Sequence, residues 1–445
     1  RNNIIKISKK KDLSSKDIEN ILSAYDALNE PGDNEFIKNY WPKLIKKINW
    51  NEPFKYYNKY TPKEESIKLF QIFIDLGDLY LAENNFETAI KQYDFGRKKL
   101  TQWKKNNVIN IYYVVYDRKF VVSIATPKVI LAVSEYNTNL DNKKKADEAF
   151  NKLKSVNEDL IQVEKLFFSL DKDLQNKLKK RYPAHLTRAY QALITTNNFL
   201  QDKNAAFNWA QKMMDEVKNY PTNRNNDNDL FEAHYNMILA SLGVNQLNIA
   251  NYHINQFKNY SLKLVESVDG VNSVANYSSF ILPLTLHAGL YYETEQFINF
   301  TKNYLDFNYQ IFGNFQRNSY LYAIGRISLK NKNYKKAIKA FEEASEDFLK
   351  NVTADIQFNY SALSSLLLLE AYMMNGDLEK FRNHFYELTN SYPENYETFS
   401  NTSVSNLFYV PSDIAMSQAL SVFKYLNQKK VNIPKKYIEE IFSLL

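Results

Sequence analysis

The chain has 445 residues, with 57 Lys and Arg against 50 Asp and Glu, 9 Gly, 11 Pro and no Cys. The absence of cysteine excludes disulfides, thiolate metal sites, iron–sulfur clusters and a cysteine nucleophile. The scarcity of Gly and Pro argues against an all-β fold, and a net charge of +7 permits acidic partners without demanding them.

Residues 1–13 are polar and basic and read as a frayed lead-in. Ser14 with Asp17 caps a helix carrying Ile18, Ile21, Leu22, Tyr25 and Leu28, which Pro31-Gly32-Asp33 breaks. Residues 35–48 are helical again, kinked or restarted at Pro42, with Trp41 and Trp50 expected as packing anchors. Thr61-Pro62-Lys63-Glu64 is a helix start: a cap, a proline at the first turn and a capping-box acid. Ile67, Phe70, Phe73, Ile74, Gly77, Tyr80 and Leu81 then form an apolar stripe of helical period. Glu83-Asn84-Asn85 interrupts it, and a second stripe follows at Phe86, Ala89, Ile90, Tyr93, Gly96 and Leu100.

The segment 107–133 is rich in β-branched and aromatic residues, so local propensity says strand. A strand here has no partner in an otherwise helical chain, and Ile109, Tyr112, Tyr113, Tyr116 and Phe120 fit a helical stripe, so a helix is expected. A long amphipathic helix follows over 142–170, then a basic one from Asp171 towards Pro183. Residues 218–229 are Asn- and Asp-rich and nearly devoid of apolar anchors, which makes them a solvated connection. The expected domains are a lead-in region 1–60, a helical domain 61–217, a linker 218–229 and a second helical domain 230–445 made of hairpins.

The order of small and large residues recurs. Gly77, Ala89 and Tyr93 in the first hairpin are matched by Gly325, Ala337 and Phe341 in the second, both with 89 − 77 = 337 − 325 = 12 between the Gly and the Ala. A third copy runs through Leu369, Tyr372, Leu378, Phe381, Phe385, Leu388 and Pro393, and weaker ones centre on Ala250 and Ala288. Leu76, Gly77, Tyr80, Phe86, Ala89, Tyr93 and Gly96 resemble the tetratricopeptide repeat, a helix–turn–helix unit of about 34 residues. The resemblance implies an all-α fold: a solenoid of αα-hairpins wound as a right-handed superhelix, in two helical halves. The copies do not follow one another at constant spacing, so inserted helices or longer loops are expected between them.

Motifs for catalysis are missing. His185, His234, His253, His287 and His384 show no pairing at i, i+3 or i, i+4 and no His-Glu-x-x-His. The glycines form no phosphate loop, and Glu64-Glu65 and Glu342-Glu343 read as solvated helix faces. No catalytic residue, metal site or cofactor is expected. Lys143-Lys144-Lys145 is balanced by acids elsewhere, so nucleic acid is not an expected partner. No apolar run is long enough to span a bilayer. The start at Arg1 and the lack of cysteine fit either a cytoplasmic protein or one exported to a bacterial envelope.

A stack of hairpins lines its inner face with the first helix of each pair. The expected groove residues are Gln71, Ile74, Asp78, Leu81 and Ala82 from one hairpin, and Ser319, Tyr322, Arg326, Leu329 and Lys330 from another. The first set is apolar and slightly acidic, the second aromatic and basic, which suits a peptide segment carrying acidic and hydrophobic residues. The Lys/Asn clamp that some relatives use for a peptide C-terminus is not matched, because Ile74 and Asp78 stand in its place. The expected function is a non-enzymatic scaffold or adaptor. The alternatives are a subunit of a proteasome-lid or signalosome type of assembly, or a peptide-sensing regulator.

Overall fold

A computed structural model describes residues 2–14, 16–17, 20–21, 33–48, 70–105, 111–139, 142–181, 184–220, 226–304, 314–350, 359–384 and 387. Among these residues every regular element is helical and no strand occurs. The expected helix start at Thr61, the Trp50 anchor, Phe385, Leu388 and everything from Pro393 onward lie outside the described residues. The chain divides into two compact units, Arg1–Leu200 and Gln201–Leu445.

The first unit holds α1 (Asn2–Lys9), α2 (Asp33–Ile45), α3 (Gln71–Ala82), α4 (Phe86–Lys105), α5 (Ile111–Thr138), α6 (Lys143–Phe168), α7 (Lys172–Arg181) and α8 (Ala184–Phe199). The Ser14 cap forms as expected: the Ser14 amide donates to Asp17 Oδ2 at 2.8 Å and the Asp17 amide to Ser14 Oγ at 3.3 Å. Trp41 is fully buried. Asn142 caps α6, accepting from the Lys145 amide at 3.3 Å.

Helix α5 is the segment whose propensity says strand. Tyr113, Val114, Val115, Tyr116, Phe120, Val121, Ile124 and Ala125 are all buried, on every side of it. It packs against α3, α4, α6 and α8, so apolar residues all round the helix find partners. Its two buried charges are paired outward. Asp117 accepts from Arg97 Nε of α4 at 2.8 Å, and Arg118 Nε meets Glu164 Oε1 of α6 at 2.7 Å.

The second unit holds α9 (Lys203–Lys218), α10 (Asp227–Gly243), α11 (Leu247–Leu264), α12 (Val268–His287), α13 (Tyr291–Tyr304), α14 (Asn314–Lys330), α15 (Tyr334–Lys350) and α16 (Asn359–Asn375). Helix α9 packs on α10 within this unit. A short helical segment at 378–384 follows α16.

The hairpins share one turn. Asn84, Gln201, Asn245, Gly289, Lys332 and Gly376 all have positive φ, between 57° and 84°. At five of these turns the next residue's amide bonds back to the carbonyl five residues earlier: Asn85 to Tyr80, Gln246 to Ser241, Leu290 to Thr285, Asn333 to Ser328 and Asp377 to Tyr372, at 2.8–2.9 Å. This is the Schellman closure of a helix end. The same residue's carbonyl then opens the second helix, accepting from Ala89, Ala250, Thr294, Ala337 and Phe381. In the second unit these turns recur at 245 − 201 = 44, 289 − 245 = 44, 332 − 289 = 43 and 376 − 332 = 44 residues.

That regularity corrects the expectation of uneven spacing. The second unit is a tandem array with a period about ten residues longer than the ordinary 34-residue unit. It also corrects the register of one weak copy: Ala288 is the C-cap of α12, and Thr294 occupies the place of Ala89 and Ala337.

Bulk is shared across each hairpin seam. A Cβ on Gly77 would stand 2.1 Å from the Tyr93 ring, and one on Gly325 would stand 2.3 Å from the Phe341 ring. At the same offsets the Asn245 and Gly289 hairpins bury Ile238 with Ile254 and Leu282 with Ile298. A glycine thus faces an aromatic ring, whereas two aliphatics face each other. We expect Gly325→Ala to destabilise the protein by about 1–3 kcal/mol through overpacking. Phe341→Leu should restore part of the loss in urea denaturation, and an unchanged midpoint for the single variant would refute the close contact.

Candidate functional site

Inner helices α10, α12, α14 and α16 pack successively against one another, and polar side chains tie them closely. Pro283 lies within α12 and has no amide hydrogen, so the carbonyl of Ser279, four residues earlier, loses its helical donor. The Ser319 hydroxyl of α14 donates to that carbonyl. Asn318 donates to Ser361 Oγ of α16 at 2.8 Å, and Ser361 donates to the Ala344 carbonyl at 2.6 Å.

This close packing decides which expected groove residues are open. Ser319 is fully buried, Tyr322 is 3% exposed and, in the first unit, Ile74 is 5% exposed. Their side chains belong to the core and offer a partner no surface, which corrects their expected place in a groove. Gln71 and Leu81 are half-buried, and Asp78 and Ala82 are exposed. Arg326 and Leu329 are half-buried, and Lys330 is exposed.

The structure gathers two polar clusters, one in each unit. In the first, Gln71 donates to Asp75 Oδ1 at 3.1 Å and accepts from Lys119 Nζ at 3.1 Å, while the Tyr93 hydroxyl donates to Asp78 Oδ1 at 2.6 Å. Burial, followed by the nearby Arg188 guanidinium, pushes the Lys119 ammonium below its ordinary pKa. In the second, Arg326 Nη1 donates to the Tyr322 hydroxyl at 2.9 Å and Nη2 to the Tyr291 hydroxyl at 3.5 Å. Lys330 Nζ sits 3.3 Å from the Tyr291 ring centroid, a cation–π contact. Glu370 of α16 lies near Arg326; burial pushes its carboxyl up and the guanidinium pulls it part of the way back. Sequence reasoning missed Lys119, Arg188, Tyr291 and Glu370, since each stands on a helix other than the one carrying the expected residues.

The segment 319–346, which carries Gly325 and Phe341, matches the family model of the tetratricopeptide repeat. These are degenerate tetratricopeptide-type repeats. No curated protein matches the chain. Among solved structures, the apo form of RapI aligns at 12% identity over 81% of this chain and 99% of its own, with a TM-score of 0.39. A circular tandem repeat protein with novel repeat topology aligns at 9% identity over 100% and 94%, with a TM-score of 0.26. The Cut9–Hcn1 hetero-tetramer of APC/C aligns at 14% identity over 92% and 83%, with a TM-score of 0.23.

Two histidines that the sequence leaves apart also meet, inside the hairpin of α10 and α11. His234 Nδ1 of α10 and His253 Nδ1 of α11 are 2.7 Å apart and both rings are buried. One ring donates and the other accepts, so at least the accepting ring is neutral. Burial lowers both pKa values, to about 3 for His234 and about 4 for His253, and Lys218 adds to each shift. No group of three or more His, Cys, Asp and Glu that could hold a metal ion occurs among the described residues. No described helix is long and apolar enough to cross a membrane.

Proposed function

We propose that this protein is a non-enzymatic scaffold that captures a protein or peptide segment on the inner-helix face of its second unit. The observation that carries this reading is the Arg326–Lys330 strip. Arg326 is held by two tyrosine hydroxyls and Lys330 by a tyrosine ring, on a helix whose Ser319 and Tyr322 are sealed in the core. Cations ordered in advance lose little entropy when they bind a carboxylate. The tetratricopeptide-type repeat supports a partner-binding role, and the basic strip favours a segment with acidic residues.

The test is affinity capture from the native host on the intact protein, beside Arg326→Glu and Lys330→Glu variants. A specific protein should be retained by the first and weakened about tenfold or more by each variant, with unchanged thermal melting. Equal retention on all three would remove this face from the binding surface.

A further inference from the structure

The turn register of the second unit also orders its outer helices. Asn248, Tyr252 and Asn255 of α11 follow the positive-φ residue Asn245 by 248 − 245 = 3, 252 − 245 = 7 and 255 − 245 = 10 residues. Tyr292, Gln296 and Asn299 of α13 hold the same three places after Gly289, and Lys335, Lys339 and Glu342 of α15 hold them after Lys332. Steps of four and three residues keep each set on one helix face, and all nine residues are exposed. Helices α11 and α13 pack against each other, so their two sets form a face of six exposed residues without a charge. On α15 the same places are two lysines and a glutamate.

Tyr252 and Tyr292 are 53% and 71% exposed, the two most exposed large apolar side chains among the described residues. None of the six side chains makes a hydrogen bond among the described residues, and the Tyr292 ring meets no other ring there. Lys258 of α11 and Glu293 of α13 attract each other across the boundary and add no net charge beside this face.

From these observations we propose that the α11–α13 face binds a neutral oligosaccharide of pyranose units. The site lies on outer helices, and its argument uses neither Arg326 nor Lys330 of the inner helix α14. A pyranose presents hydroxyls around its edge and C–H bonds on its faces. A tyrosine ring offers flat apolar area with only two torsions to fix, which suits stacking on a C–H face. An Asn or Gln amide both donates and accepts, as a sugar hydroxyl does. The rungs of the face stand about 4.5–6 Å apart along each helix, close to the length of one sugar unit. Successive rungs therefore meet successive units. The lack of charge speaks against nucleic acid and anionic lipid, which both call for cations on the surface. An amphipathic peptide helix calls for an apolar groove, and amides line most of this face.

The experiment runs the full chain in native gels cast with mixed-linkage β-glucan, glucomannan, arabinoxylan or dextran, with polygalacturonate as a charged control. At least one neutral polysaccharide should retard the natural protein. Tyr252→Ala and Tyr292→Ala should each raise the apparent Kd about fivefold, and Asn255→Ala and Gln296→Ala about threefold. These side chains are exposed, so the urea midpoints should not move, and Lys339→Gln on α15 should leave the retardation unchanged. Retardation by no neutral polysaccharide, or by polygalacturonate alone, would overturn the proposal. So would a neutral retardation that every variant keeps in full. Self-association in sedimentation velocity that Tyr292→Ala abolishes, without retardation by sugar, would overturn it in favour of a second copy of the chain. Host capture through Arg326 and Lys330 is read separately, so the scaffold function stands or falls on its own test.

Discussion

Replacing Glu164 with alanine is expected to cost about 3–5 kcal/mol of stability, the largest effect of any single substitution considered. Arg118 and Glu164 have side chains only 1% and 2% exposed, and their Nε–Oε1 distance is 2.7 Å. The guanidinium also lies over the Phe167 ring, 4.6 Å from its centroid. Alanine removes the carboxylate that faces a guanidinium only 1% exposed, in an otherwise apolar helix layer. The pair as a whole is another matter, because both charges were desolvated to make it. Arg118→Met with Glu164→Leu should therefore recover most of the loss, and double replacements of this type are often neutral. Urea denaturation of the three variants measures this. A loss below about 1 kcal/mol for Glu164→Ala would mean that the pair is better solvated than its burial indicates.

The second large effect is acid sensitivity through His234 and His253. Both are neutral in the folded protein with pKa values near 3 and 4, against an ordinary value of 6.5. The unfolded chain binds protons below about pH 6.5 and the folded chain does not. Stability from this pair is therefore present above that pH and falls as the pH drops towards 4. The slope approaches about 1.4 kcal/mol per pH unit for each imidazole. The groups facing the pair do not oppose this. Lys218 of α9 repels a proton, Tyr252 and Tyr260 of α11 contribute ring faces, and among the described residues no carboxylate contributes to either shift. Urea midpoints at pH 7.5, 6 and 5 should fall steeply for the natural protein and less steeply for His234→Asn/His253→Asn. Parallel slopes would rule out the pair as the source.

The helices were legible because their apolar stripes repeat at helical period, and α5 was legible only from its context. A strand pattern at 107–133 gave way because helices on several sides bury it. The two clear repeats were legible because a glycine facing an aromatic ring leaves a mark at fixed spacing. The repeats between them put Ile or Leu on both sides of the seam and leave no such mark. Their turns are hidden too, since Gln, Asn, Lys and Gly all take the positive-φ position. The 43–44-residue period appears only once those turns are aligned in space.

The expected groove residues differ in exposure. Arg326, Lys330, Gln71 and Asp78 keep accessible surface, while Ile74 and Tyr322 are buried in the core. Ser319 is buried as well, bonded to the carbonyl that Pro283 leaves free. The histidine pair was missed because a search at i+3 and i+4 looks along one helix, and these two meet across a turn.

The tandem turns also give the second unit a mechanical character. Among the described residues each helix there packs mainly on its immediate neighbours. Under tension between its termini such an array yields one hairpin at a time. Each step pays out the 43 or 44 residues between successive turns, about 150 Å of contour at about 3.4 Å per residue. The turns that space the repeats thereby also set the step length of a spring.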